Sequence, residues 1–119
     1  MIAPDAQMGD YRNVKETIKI DRSLLQDKEI IVLRINDNSM SGEGLNKDDY
    51  AFIKRQSTCR SGQIVAVLFE QKVVLRKYSK RNRIVKLTPS NKRFKPISLK
   101  QAEFKTALIG VLVNSFRQH

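Results

Sequence analysis

Short apolar runs separated by polar turns make up most of the chain. Ile18 and Ile20 alternate with Lys19 and Asp21, a short strand signal, and residues 21–25 (DRSLL) read as a turn. Residues 30–35 (IIVLRI) form a β-rich run that ends at the polar Asn36, Asp37 and Asn38. Residues 41–49 hold two glycines among polar residues and read as a loop, followed by a strand over 50–54. Arg60, Ser61 and Gly62 form a turn. Residues 63–69 (QIVAVLF) are continuously apolar, as in a buried strand. Residues 70–72 link them to a strand over 73–78, and a basic turn over 79–82 leads to another over 84–87. Pro89 and Pro96 bracket a loop that contains Asn91 and Phe94. Residues 105–115 read as a last long strand, whose apolar run needs cover on both faces, from a sheet interior or from a dimer partner. No stretch reads as a helix of normal length. The pattern predicts an all-β fold, a small barrel or sandwich of antiparallel strands with few or no helices.

The length, 119 residues, suits a single domain. Residues 1–10 are polar and irregular and read as an arm or linker, leaving 11–119 as the domain. No run of about 18 apolar residues occurs. Residues 1–10 lack the basic start and apolar stretch of a signal peptide, so a cytoplasmic location is the default expectation. One cysteine, Cys59, excludes an intrachain disulfide, and no residue cluster suggests a metal or cofactor site. The one histidine, His119, is the last residue, which leaves histidine-based catalysis and histidine metal ligation without a candidate. The net charge of +11 points to an acidic partner, with nucleic acid the usual one. Basic residues cluster at Arg76, Lys77, Lys80, Arg81 and Arg83, and again at Lys92, Arg93 and Lys95. Such runs most often are solvated hairpins and loops; the sharper reading is contact with DNA or a nucleoprotein.

Candidate chemistry begins at Ser39, at the end of the IIVLRI run. A serine is a weak nucleophile until a base takes its proton. Without a histidine in the body of the chain, the remaining solution is a Ser–Lys pair, with a desolvated lysine held neutral as base. The strand over 73–78 carries basic residues in an apolar context.

Residues 36–49 (NDNSMSGEGLNKDD) resemble the nucleophile motif of the LexA, phage repressor and UmuD family, roughly G-D-S-M-x-G-x-G-I-x-x-G-D. Further segments resemble the same family in the same order: 61–67 (SGQIVAV), 73–78 (VVLRKY, against V-T-V-K-R-L), 87–91 with 94–97 (LTPSN and FKPI), and 109–112 (IGVL). The similarity runs from about Tyr11 to the C-terminus, and the ordered set is more specific than any one motif. The resemblance implies a mostly β, dimerising domain that cuts its own chain or a partner's at a small-residue–Gly bond, stimulated by a RecA filament on single-stranded DNA. It implies Ser39 as nucleophile, with the Ser39 backbone N–H facing the developing oxyanion.

Three of the departures from the motif bear on the site. The general-base lysine position is Arg76, 37 residues after Ser39, and an arginine is effectively never deprotonated in a protein. Lys77 is the alternative base, but strand neighbours point to opposite faces, so it needs a bulge to turn inward. The glycine two residues before the serine is Asp37, and the usual Gly-Asp is Asp48-Asp49. No Ala-Gly or Cys-Gly precedes Tyr11, as expected of a processed or trimmed chain, and no helix-turn-helix precedes the domain, so DNA contact is expected through an N-terminal domain absent here. Two readings follow. One is a dimerisation and regulatory domain of a repressor with an inactive or attenuated peptidase site. The other is a working Ser–Lys autopeptidase, with a UmuD-like subunit of a damage-tolerance polymerase as a weaker third.

Overall fold

The computed structural model describes residues 30–35 and 37–117. The arm over 1–10, Tyr11 and the strand signal at Ile18 and Ile20 lie outside these residues. The described residues form strands β1 (Ile30–Arg34), β2 (Tyr50–Arg55), β3 (Ile64–Phe69), β4 (Lys72–Arg81), β5 (Ile84–Thr88), β6 (Ile97–Lys100) and β7 (Leu108–Phe116). A 3-10 turn (Ser41–Glu43) follows β1, and one helix, α1 (Gln101–Ala107), joins β6 to β7. The strands form a single sheet in the order β1-β2-β7-β3-β4-β5-β6, with every neighbouring pair antiparallel. The all-β expectation holds. No helix among the described residues is long and apolar enough to cross a membrane.

Strand alternation sends β3 and β4 into two cores. Val65, Val67, Val74 and Tyr78 pack on one face with Val85, Leu87 and Phe104. Ala66, Val73 and Leu75 pack on the other with Leu33, Ile53, Met40 and Leu45. Cover on both faces explains why residues 63–69 read as an unbroken apolar run rather than an alternating one. Strand β7 pairs with β2 and β3, but its apolar run is only partly covered: Gly110 and Val111 are buried, while Val113 is 46% exposed. It lies very close to β2 at Gly110, where an added Cβ would sit 2.1 Å from the Lys54 carbonyl oxygen. Only glycine fits that approach.

The structure corrects the sequence reading in three places. The last strand starts at Leu108, not at 105, because residues 101–107 form α1. The Glu103 carboxylate accepts from the Lys100 N–H (3.1 Å) at the start of that helix, and Phe104 is buried with its ring centroid 5.0 Å from that of Tyr78. Strand β6, to which the sequence pattern assigned no element, has Ile97 and Leu99 facing the core while Ser98 and Lys100 face out. Strand β4 runs on to Arg81, so the basic turn is only Asn82 and Arg83, both at positive φ (51° and 65°).

Candidate active site

Ser39 sits in the turn that leaves β1, and the 88–91 loop after β5 holds it there. The Ser39 carbonyl accepts from the backbone N–H of Ser90 (3.0 Å) and of Asn91 (3.1 Å). The Asn91 side-chain amide donates to the Asn38 carbonyl (3.0 Å), and the Glu43 N–H donates to Ser90 Oγ (3.2 Å). Gly42 packs so closely here that an added Cβ would lie 2.5 Å from the Ser90 carbonyl oxygen. The motif residues LTPSN therefore have a physical task, which is to fix the backbone of the serine turn. Sequence reasoning quoted Ser90 and Asn91 but gave them no role.

Arg76 reaches this turn from β4. It lies on the Val74–Tyr78 face of the strand, is 3% exposed, and its Nη1 donates to Ser39 Oγ at 2.8 Å. Ser39 is itself 3% exposed. The same Nη1 donates to the Leu75 carbonyl (2.8 Å), while Nε is buried with no hydrogen-bond partner. Burial pushes the Arg76 guanidinium down from its ordinary pKa, and the Asp37 charge opposes that. A guanidinium remains a donor even so, and cannot take the serine proton. An open cleft of about 480 Å³ runs beside Arg76, between the β3–β4 turn and residues 95–98.

Lys77 points the other way. Its register is regular, with Ile64 opposite Lys77 and Val65 opposite Arg76, so no bulge turns it inward. Its side chain is 49% exposed, and its ammonium donates to Glu43 Oε1 at 3.2 Å. The structure thus brings Ser39 and Arg76 together and leaves Lys77 on the outer face.

The two other departures from the motif have different consequences. Asp48 adopts φ 75°, the left-handed conformation a glycine would take, so the backbone path is kept. The Asp37 carboxylate accepts the Ser39 N–H at 2.9 Å. That N–H is the group expected to face an oxyanion. Burial pushes the Asp37 carboxyl up, but the hydrogen bonds it accepts, the Ser39 N–H among them, and nearby positive charge outweigh this. It therefore titrates below the usual carboxylate value and is ionised at neutral pH. A carboxylate held that low is also a poor base for a serine hydroxyl. The arrangement has the shape of a serine-nucleophile site, with its hydroxyl facing a fixed cation and its backbone donor already engaged.

The Peptidase S24-like family model matches residues 3–113. The LexA repressor of Myxococcus xanthus (strain DK1622) is 29% identical over 121 residues, covering 98% of this chain and 54% of that protein. The LexA repressor of Anaeromyxobacter sp. (strain Fw109-5) is 37% identical over 108 residues, covering 88% of this chain and 46% of that protein. That of Carboxydothermus hydrogenoformans (strain ATCC BAA-161 / DSM 6008 / Z-2901) is 31% identical over 109 residues, covering 90% and 52%. The chain spans about half the length of the curated relatives it matches. The family match, the ordered motifs and the clamped serine turn agree: the chain belongs to the Peptidase S24-like family and is related to the LexA repressors.

Proposed function

We propose that this chain is the dimerisation and regulatory domain of a LexA-like or prophage transcriptional repressor, with a Ser–Lys autopeptidase site that is silent as it stands. The observation that carries this reading is the 2.8 Å hydrogen bond from Arg76 Nη1 to Ser39 Oγ inside a buried site. The residue in contact with the nucleophile is one that does not give up its proton. The competing reading, an active peptidase with Lys77 as base, has Lys77 on the opposite face and paired with Glu43 against it.

Homodimerisation is part of the proposal. It is supported by an apolar groove of about 250 Å³ lined by Ile31, Leu33, Leu68, Val73 and Ile109, with Leu68 48% exposed. A cytoplasmic location, a RecA–single-stranded-DNA filament as the cleavage stimulus, and operator contact through a separate DNA-binding domain follow from the resemblance and belong to the same proposal. The test is incubation of the parent protein, including the segment before Met1, from neutral to alkaline pH with and without a RecA filament, followed by intact mass. The expected result is no cleavage of the parent and cleavage of Arg76→Lys. Cleavage of the unaltered parent would overturn the proposal.

A further inference from the structure

We propose that the outward face of the β4–β5–β6 ribbon is a docking surface for the phosphate backbone of duplex DNA. The face is set by register. Ser79 lies opposite Lys86, Arg81 opposite Ile84, Lys86 opposite Ser98, and Ile84 opposite Lys100. Alternation puts these residues on one side of three adjacent strands and sends Tyr78, Val85, Leu87 and Leu99 to the core. All of the outward residues named are exposed.

The charge on this face is one-sided. No carboxylate among the described residues forms an ion pair with Arg81, Arg83, Lys86 or Lys100. Lys77, at the near end of the face, is neutralised by Glu43, and Glu103 is tied to the Lys100 backbone N–H. A solvated face that served only solubility would mix signs; here Arg81, Arg83, Lys86 and Lys100 stand beside the hydroxyls of Ser79 and Ser98, which can also reach phosphate.

The occupant follows from what the face lacks. No aromatic side chain lies on it, and single-strand binders use aromatics to stack bases. Its one apolar residue is Ile84, too little for insertion at a membrane surface. Cations and hydroxyls on a regular sheet fit a duplex backbone. Arg83 adds a second observation. It holds φ 65° at the hairpin tip, where glycine is favoured, so a cation stands at the tip at the expense of local backbone strain. This inference does not depend on whether Ser39 reacts.

The test titrates the 119-residue chain into a fluorescent random-sequence DNA duplex of about 20 base pairs, a spacing ample for non-specific backbone contact. Parallel arms use a single strand of the same length and vesicles containing phosphatidylserine. Four phosphate contacts give a slope of log affinity against log salt near −3.6, so a rise from about 50 to 200 mM salt weakens binding roughly 150-fold. Arg81→Gln with Lys86→Gln brings the slope to about −2. Arg83→Gly weakens duplex binding while keeping or raising the melting temperature, which separates lost charge from lost fold. The proposal is overturned by no duplex binding at the lower salt, by tighter binding to single strand or vesicles, or by unchanged affinity in these variants.

Discussion

Replacing Arg76 by lysine tests the central contact directly. Arginine donates to Ser39 Oγ and to the Leu75 carbonyl from one nitrogen, and one of these bonds is lost with the shorter side chain. The loss of a charged hydrogen bond costs about 1.5–3 kcal/mol, tolerable for a domain whose sheet is otherwise intact. The new lysine inherits a nearly fully buried position, and desolvation there lowers a lysine pKa by up to about 3–5 units from roughly 10.4. A neutral amine then exists at mildly alkaline pH and can take the Ser39 proton. A second obstacle remains, because the Asp37 carboxylate still accepts the Ser39 N–H. Loss of one oxyanion donor costs about 10²–10³ in rate, or roughly 3–4 kcal/mol. Arg76→Lys alone should therefore be slow, and Arg76→Lys with Asp37→Gly about 10²–10³ faster. The assay is labelling of Ser39 by a fluorophosphonate probe, followed by intact mass from neutral to alkaline pH. Ser39→Ala serves as the blank. Labelling should rise about tenfold per pH unit below the lysine pKa. If the unaltered chain labels as fast as Arg76→Lys, position 76 does not control the nucleophile. If the double variant is no faster than the single one, Asp37 does not block the oxyanion donor.

Three further outcomes follow from the geometry. Gly110→Ala should cost about 2 kcal/mol or more, because its Cβ meets the Lys54 backbone; a melting temperature within a degree or two of the parent would refute the close approach of β7 to β2. Gly42→Ala, made in the Arg76→Lys background, should lower the melting temperature and abolish most Ser39 labelling of the still-folded protein, since its Cβ meets the Ser90 backbone and displaces the clamp; unaltered labelling would show that the loop around Ser90 and Asn91 does not position the serine. The Asp37 carboxyl is held below its ordinary value of 3.8, so its contribution to stability is fully present above that value and is lost as pH falls through the lowered folded value; the urea-midpoint advantage over Asp37→Asn should shrink below about pH 4 and stay constant above about pH 5, and an advantage independent of pH would count against an ionised Asp37.

Much of this arrangement is legible in the sequence because its signals are local. The apolar runs mark six of the strands, all but β6, and the period of two alone separates Arg76 from Lys77 on opposite faces. Arg76, 37 residues after Ser39, donates to its hydroxyl. The missing parts depend on contacts between distant residues. The Asn91–Asn38 bond spans 53 positions, and nothing in the local pattern of residues 88–91 announces that they clamp a turn that far away. Strand β6 is short and half exposed, and its pairing partner, β5, decides that it is a strand. Helix α1 was hidden by the apolar residues that follow it, and its place is fixed by Phe104 packing on Tyr78. The bond between Asp37 and the Ser39 amide is local, yet it was read as a change in backbone freedom rather than as a new hydrogen-bond acceptor.

The departures from the family motif fall on particular tasks. Gly42 and Asn91, which match the motif, set the path of the serine turn, and Asp48 departs from it but keeps the left-handed conformation that the path requires. Under the proposed function, the two departures with chemical consequences are at the proton acceptor and at the oxyanion donor, where Arg76 bonds Ser39 Oγ and Asp37 bonds the Ser39 N–H. Arg76 occupies an unbroken register in β4 and so leaves the strand pairing around it intact. In this setting Ser39 has a structural use that needs no reaction, because its hydroxyl is one of two acceptors for a buried guanidinium that has no ion-pair partner among the described residues. A buried charge left with fewer acceptors is costly, so the arginine holds the serine in place whether or not the serine reacts. Packing and charge are thus enough to keep the serine turn and the arginine in contact.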